Sequence, residues 1–350
     1  MFDAGVTRYL TVLWLSFLPV AALAHHSLRS YDPSEIIEFE GEVTDVFWRN
    51  PHVRLTIRVV DEDGGERVWT MEGVSLNSME RAGINKAIVN VGDRIRLAGH
   101  PSNTLDDAVW PVLLTLANGL SYVLDEGSAT DFGLVDDASR VAIADDASDA
   151  SAAANLEAHG IFRVWTNTGH WGRDVRGWWA RVFPLTESAQ RELDAWDQET
   201  DDYAAQCIPA GMPEGMMQPF PIEFIDQGDT IILNIEEWDN SRTIHLNADP
   251  EADVPYSRLG YSVGRWEGDT LIVETNRINY PYFNDQGMPQ SEAVEIAERF
   301  TFSANDTRLD WTATLIDPET FTEPVTMAEM HWDWIPANEI KPYNCVVDDN

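Results

Sequence analysis

Apolar and polar positions alternate with a period of two along much of this chain. Val53-Arg54-Leu55-Thr56-Ile57-Arg58-Val59 sets apolar residues on one face and basic or polar residues on the other, the pattern of a half-buried strand. Ile36 to Arg49 alternates well enough for a preceding strand, stopped by Asn50-Pro51. Asp61 to Gly65 is a turn, and Glu66 to Glu72 returns as a third strand. Ser75 to Ala82 predicts a short helix capped by Ser75 and stopped by Gly83. Strands at Arg94 to Gly99 and Val109 to Leu116 complete the order β-β-β-α-β-β. With a long first strand, that order predicts an OB-like five-stranded barrel over residues 25–124.

The second half, residues 156–350, repeats the period without the same order. Gly160 to Trp165 and Trp178 to Phe183 read as strands, and Thr186 to Trp196 as a helix with Ala189, Leu193 and Trp196 on one face. Cys207 to Pro221 is rich in Pro, Met and Gly and irregular. Gly228-Asp229-Thr230-Ile231-Ile232-Leu233 is then echoed by Gly268-Asp269-Thr270-Leu271-Ile272-Val273, and loosely by Asn305-Asp306-Thr307-Arg308-Leu309. Each is a turn pair leading into a strand, which predicts a series of hairpins and a larger antiparallel, lipocalin-like β-barrel. The expected fold class is therefore all-β.

Between the halves, residues 125–155 hold acids, alanines and serines with Phe132 as the one aromatic, and are expected to form an acidic linker. Ahead of both, Tyr9 to Leu18 is an apolar run followed by Pro19 and the small residues Ala22 and Ala24. This predicts a signal peptide over residues 1–24, a mature chain starting at His25, and a periplasmic or secreted protein. The run is shorter than the roughly 20 residues a bilayer needs, so no membrane span is expected after cleavage. In that compartment the two cysteines, Cys207 and Cys345, predict one disulfide. The formal net charge of -37 repels phosphate backbones, and excludes nucleic acid as a partner.

Ala24-His25-His26-Ser27 and Trp48-Arg49-Asn50-Pro51-His52 give the first half a resemblance to an exported bacterial family of unknown function, with Leu28 where that family would carry phenylalanine. The second half resembles another uncharacterised exported β-rich family. Its marks are Cys207-Ile208-Pro209-Ala210-Gly211-Met212-Pro213, Pro219-Phe220-Pro221-Ile222-Glu223-Phe224, Gly260 to Thr270 and Tyr343-Asn344-Cys345. Both resemblances imply architecture and lend no activity.

Candidate chemistry lies in two places. A chain starting at His25 offers an α-amine and an imidazole on one residue, His26 adds an imidazole, and His52 supplies another if the terminus folds back onto the barrel. Such nitrogen sets suit copper(II), and the residue types resemble the histidine brace of exported copper proteins. The alternative is a solvated terminus, with His52 fixing the Asn50-Pro51 turn. In the second half, alternation from Val294 puts Glu298 among apolar residues, and Glu274 shares a face with Thr270 and Ile272. Buried carboxylates of this kind are candidate general acids, with His245 or His331 as partners; the alternative pairs Glu298 with Arg299, Arg265 or Arg277 as a structural bridge. Gly260-Tyr261-Ser262-Val263-Gly264 matches the G-x-S-x-G of serine hydrolases, but a strand rather than a helix follows Ser262, so it reads as a hairpin arm. Three functions compete. The first is an exported binding protein holding a small, partly apolar molecule in the large barrel, with copper(II) at its amino terminus. The others are an acid–base enzyme performing hydration, isomerisation or hydrolysis, and a structural envelope protein.

Overall fold

The computed structural model describes residues 31–61, 63–81, 83–135, 160–166, 182–204, 206–218, 220–303, 306–327, 329–336 and 338–347. The segment 1–30, with the expected signal peptide, His25 and His26, lies outside them, as does most of the strand expected from Trp178.

The first barrel forms as the alternation requires. Strand β1 (Ile37–Phe47) pairs through its first half with β4 (Arg94–Pro101) and through its second half with β2 (Arg54–Val60). A register shift between Val43 and Asp45 bends β1 at the changeover, as a bulge does. Strand β3 (Glu66–Glu72) follows β2, and β5 (Ala108–Leu116) follows β4. Parallel pairing of Thr70 with Ala108 and Met71 with Val109 closes the five strands into the OB-like barrel. Leu55, Ile57 and Val59 face inward as expected, joined by Val43, Met71, Ile95, Leu97 and Leu114. Helix α1 (Leu76–Arg81) joins β3 to β4.

The expected linker begins later than its composition suggests. A sixth strand, β6 (Ser121–Val123), and helix α2 (Glu126–Asp131) belong to the first barrel. Asp125 caps α2 by accepting from Ser128 N, Ala129 is fully buried, and His100 is a buried β4 residue bonded to Ser128 Oγ at 2.9 Å. Capping and one buried face outweigh the acidic composition.

The second half is one curled sheet with the order β15-β14-β13-β12-β11-β10-β9-β8-β7. It comprises β7 (Val164–Trp165), β8 (Ile222–Asp226), β9 (Thr230–Ile235), β10 (Asn240–Leu246), β11 (Tyr261–Glu267), β12 (Thr270–Asn276), β13 (Glu295–Phe302), β14 (Arg308–Ile316) and β15 (Val325–Thr326). A further strand, β16 (Met330–Asp333), also pairs with β14. The three repeat motifs start β9, β12 and β14, each the second arm of an antiparallel hairpin. The curl brings β16 back to β7, where Thr166 and Asp333 exchange backbone hydrogen bonds of 2.9 and 2.8 Å. One pair departs from the expected antiparallel order: β10 and β11 run parallel, because residues 247–260 carry the chain back along the sheet instead of turning. Helix α3 (Glu187–Ala195), capped by Thr186, and helix α4 (Gln198–Asp201) precede the irregular Cys207 stretch.

Trp165, Trp311, Trp332, Phe224 and Phe300 are fully buried inside this sheet. The three fully buried indoles each have an N–H partner: Trp165 donates to Ile161 O, Trp332 to Phe220 O and Trp311 to Glu298. At one end the Arg163 guanidinium lies 5.0 Å from the Trp165 ring centre and 4.3 Å from that of Trp334, a cation–π stack.

Candidate functional site

The turn after β1 positions the residues that join the two barrels. Asn50 is 1% exposed; its Oδ1 accepts from Leu76 N at 2.8 Å, and its Nδ2 donates to Tyr343 O of the second barrel. Val346 N donates to Asn50 O at 3.0 Å. Around them Glu236, fully buried, accepts from Asn77 Nδ2 and Lys341 N, both at 2.9 Å, and is ion-paired with Arg81. The Cys207–Cys345 disulfide, closing 138 residues, ties this C-terminal strap to the irregular stretch, as the cysteine count predicts.

His52 stands next to that clamp. Its Nδ1 lies 2.8 Å from Gly73 O, which puts the ring proton on Nδ1 and the lone pair on Nε2. Burial holds its pKa below the ordinary histidine value, so the ring is neutral. The Trp110 ring lies edge-on at 5.8 Å, and Tyr31 packs on the same indole at 5.7 Å. Tyr31 is tied to Ser102 by a bridge and donates its hydroxyl to Glu72 Oε2 at 3.3 Å. The turn expected to be fixed by His52 is thus fixed by Asn50, while His52 binds the end of β3.

From Glu72 a row of buried carboxyls crosses the junction. Burial raises the Glu72 pKa to about 8, with the charge of Asp202 adding to the shift. Asp202 follows α4, is 5% exposed, and also raises Glu214, so it stands between the barrels. Glu214 sits in a 3₁₀ turn (Glu214–Met216), accepts from Tyr280 Oη at 2.7 Å, and is raised to about 8 by burial and then by Asp285. Glu237, in the 3₁₀ turn after β9, is raised well above the carboxylate range by burial, Glu214 and Asp285. Its Oε2 is buried with no hydrogen-bond partner among the described residues. Tyr203 closes the row, its ring 5.9 Å from Tyr280. Glu72, Glu214 and Glu237 keep their protons at neutral pH and can donate them, the property a general acid needs.

None of this row was foreseen. Glu72 ends a strand whose last two residues, Met71 and Glu72, are both buried, so alternation breaks there. Glu214 lies in an irregular run, residues 210–217, that is buried throughout and has no period to read.

The residues singled out beforehand do not meet. Glu298 is fully buried inside the large sheet, as β13 alternation predicts, but its carboxylate is consumed by structure. Arg242 binds both its oxygens, Trp311 Nε1 donates at 3.1 Å and Thr275 Oγ1 at 3.2 Å. The structural bridge is therefore present, with Arg242 in place of Arg299, Arg265 or Arg277. Glu274 points outward instead of inward: its side chain is 50% exposed and pairs with Arg265 at 2.7 Å. The inward face of β12 is Leu271, Val273 and Thr275. His245 lies on the outer side of β10 beside Tyr261, and His331 on the outer side of β16, between buried Met330 and Trp332. Neither histidine shares the interior with Glu298. Ser262, as expected, is a strand residue, accepting from Arg242 Nε at 2.8 Å. Of the metal candidates, His25 and His26 lie outside the described residues, and among those described no group of three or more His, Cys, Asp or Glu is arranged to hold a metal. No described helix is long and apolar enough to cross a membrane.

No curated protein matches the chain. Residues 14–107, which contain β1 to β4 and the Trp48–His52 turn just described, match the model of a family of unknown function, DUF6152.

Proposed function

We propose that this chain is an exported copper(II)-binding protein, periplasmic or secreted after loss of residues 1–24. Copper is held by the amine and imidazole of His25 with His26 and His52. The observation that carries this reading is that His52 and Tyr31 both pack against Trp110. Tyr31 lies six positions after His25, and an extended segment of that length reaches roughly 20 Å, ample to bring the terminus to His52. The Nδ1 contact to Gly73 O also fits, because metal-ligating histidines are oriented by donating their other ring proton in this way. Copper would supply a nitrogen-seeking divalent centre. The protein's part is to hold one imidazole neutral and fixed at the rim.

In this reading the second half, similar to another exported β-rich family and lipocalin-like in its curl, acts as the scaffold. Its tryptophans Trp165, Trp311 and Trp332 and the Arg242–Glu298 pair lie buried inside the sheet. Titration of the mature protein with copper(II), beside a variant carrying one extra alanine before His25, tests the proposal. The mature form should bind below the micromolar range and the extended form at least tenfold more weakly; equal binding, or none, overturns it.

A second reading, an acid–base enzyme, is supported by the Glu214–Tyr280 pair and the raised carboxyls beside it, in place of Glu298, Glu274, His245 and His331. It requires Glu214→Gln to abolish a reaction while leaving the fold and copper affinity unchanged.

A further inference from the structure

We propose that the first barrel carries a separate binding cleft for the neutral sugar rings of a glycan, between β3 and the β4–β5 loop. A cleft of about 400 Å³ opens there, walled by Trp69 and Leu105 and edged by Arg67, Ser102, Asp106 and Asp107. That volume falls in the range of small-molecule sites.

The walls are built rather than incidental. The loop is closed by Ser102 N to Ala108 O at 2.9 Å, and pinned to β3 by Thr70 N to Asp107 O at 2.8 Å. Ser102 Oγ accepts from Thr104 N at 3.2 Å and Leu105 N at 3.1 Å, which stiffens the turn from inside. Asp107 is held at φ 57, a conformation that residues other than glycine seldom adopt. Strain of this kind persists only where the surroundings enforce it, and it concentrates at ligand sites. Trp69 is backed by Phe39, their rings 4.6 Å apart and 27° from parallel, and the Arg67 guanidinium lies 6.0 Å from the same ring centre, so the indole is held from two directions. Arg67 is fixed by Asp61 at 3.4 Å and Asp107 at 3.2 Å.

The chemistry of this lining selects the occupant. A sugar ring offers apolar C–H faces to an indole and a rim of hydroxyls, each both donor and acceptor. Guanidinium donors and carboxylate acceptors held side by side answer both halves of each hydroxyl. Asp106 and Asp107 outnumber the one arginine of the lining, and the whole chain carries a net charge of -37, so phosphate polymers and acidic glycans are repelled. A neutral ligand meets no such penalty, and a cleft already rigid loses little entropy on binding it.

The test is an array of neutral and acidic glycans probed with the mature protein, followed by calorimetric titration with cellotriose, maltotriose and chitotriose. At least one neutral glycan should bind saturably, and Trp69→Ala should weaken it tenfold or more. Because Trp69 also packs on Phe39, Asp106→Ala serves as a second variant; Asp106 is exposed, so the fold should survive, and binding should fall at least threefold. Absence of neutral-glycan binding, preference for acidic glycans or single-stranded DNA, or affinity unchanged in folded Asp106→Ala would each overturn the proposal.

Discussion

Glu298 and Glu274 sit on neighbouring strands, and their fates differ by one position of register. Glu298 is fully buried with Arg242, so removing it leaves a buried guanidinium with only the Ser262 and Thr275 hydroxyls for partners. Glu298→Ala should therefore destabilise the fold by about 3–5 kcal/mol. Glu274→Ala removes an exposed pair and should change stability by no more than about 0.5 kcal/mol. Urea unfolding of the two variants checks this; comparable losses would mean the interior pair is misjudged. The burial of Glu298 was legible because Ile296, Glu298 and Phe300 alternate with exposed Ala297 and Arg299. The outward turn of Glu274 was not, because Leu271, Ile272 and Val273 are all buried and three apolar residues in a row erase the period. Arg242 was not legible as the partner either. It lies on β10 and reaches β13 across the curl of the sheet, a proximity that no local pattern records.

At the scale of elements, the hairpin repeat was legible and the parallel pair was not. A turn motif marks where a strand begins, but nothing in residues 247–260 fixes the direction in which the next strand is laid down. The glycines of the hydrolase-like motif serve that pairing. Gly260 has φ 71, and a Cβ there would meet Asn276 O at 2.6 Å; a Cβ on Gly264 would meet Ile244 Cγ2 at 2.6 Å, where β10 and β11 run side by side. Gly264→Val should accordingly cost about 1–3 kcal/mol through overpacking, while Ser262 contributes a hydroxyl to Arg242 and no chemistry. A shift in the urea midpoint reads the first effect; a Gly264→Val variant as stable as the parent would show that β10 and β11 do not pack this closely.

At the scale of the whole molecule, the junction of the barrels is a protonation-dependent joint. Glu72 and Glu214 are raised to about 8, so the folded protein holds protons that the unfolded chain releases near pH 4.5. Their contribution is fully present below that value and is lost as pH climbs towards 8, so stability should fall across this window. Melting temperatures measured between pH 5 and 9 should decline, and Glu214→Gln, which cannot ionise, should flatten the decline. An unchanged slope in that variant would place the proton uptake elsewhere. The disulfide within this joint was legible from two cysteines in a chain whose sequence reads as exported. Its other members join residues more than a hundred positions apart, Asn50 to Tyr343 and Asn77 to Glu236, and only the folded chain brings them together.

The copper proposal rests on nitrogen atoms of His25, His26 and His52, and an electron spin resonance spectrum of the copper(II)-loaded mature protein counts them. The account predicts nitrogen hyperfine splitting from at least three ligands, with one nitrogen lost in a His52→Ala variant that circular dichroism shows to be folded. A spectrum unchanged by His52→Ala, or one showing oxygen ligation alone, would contradict it.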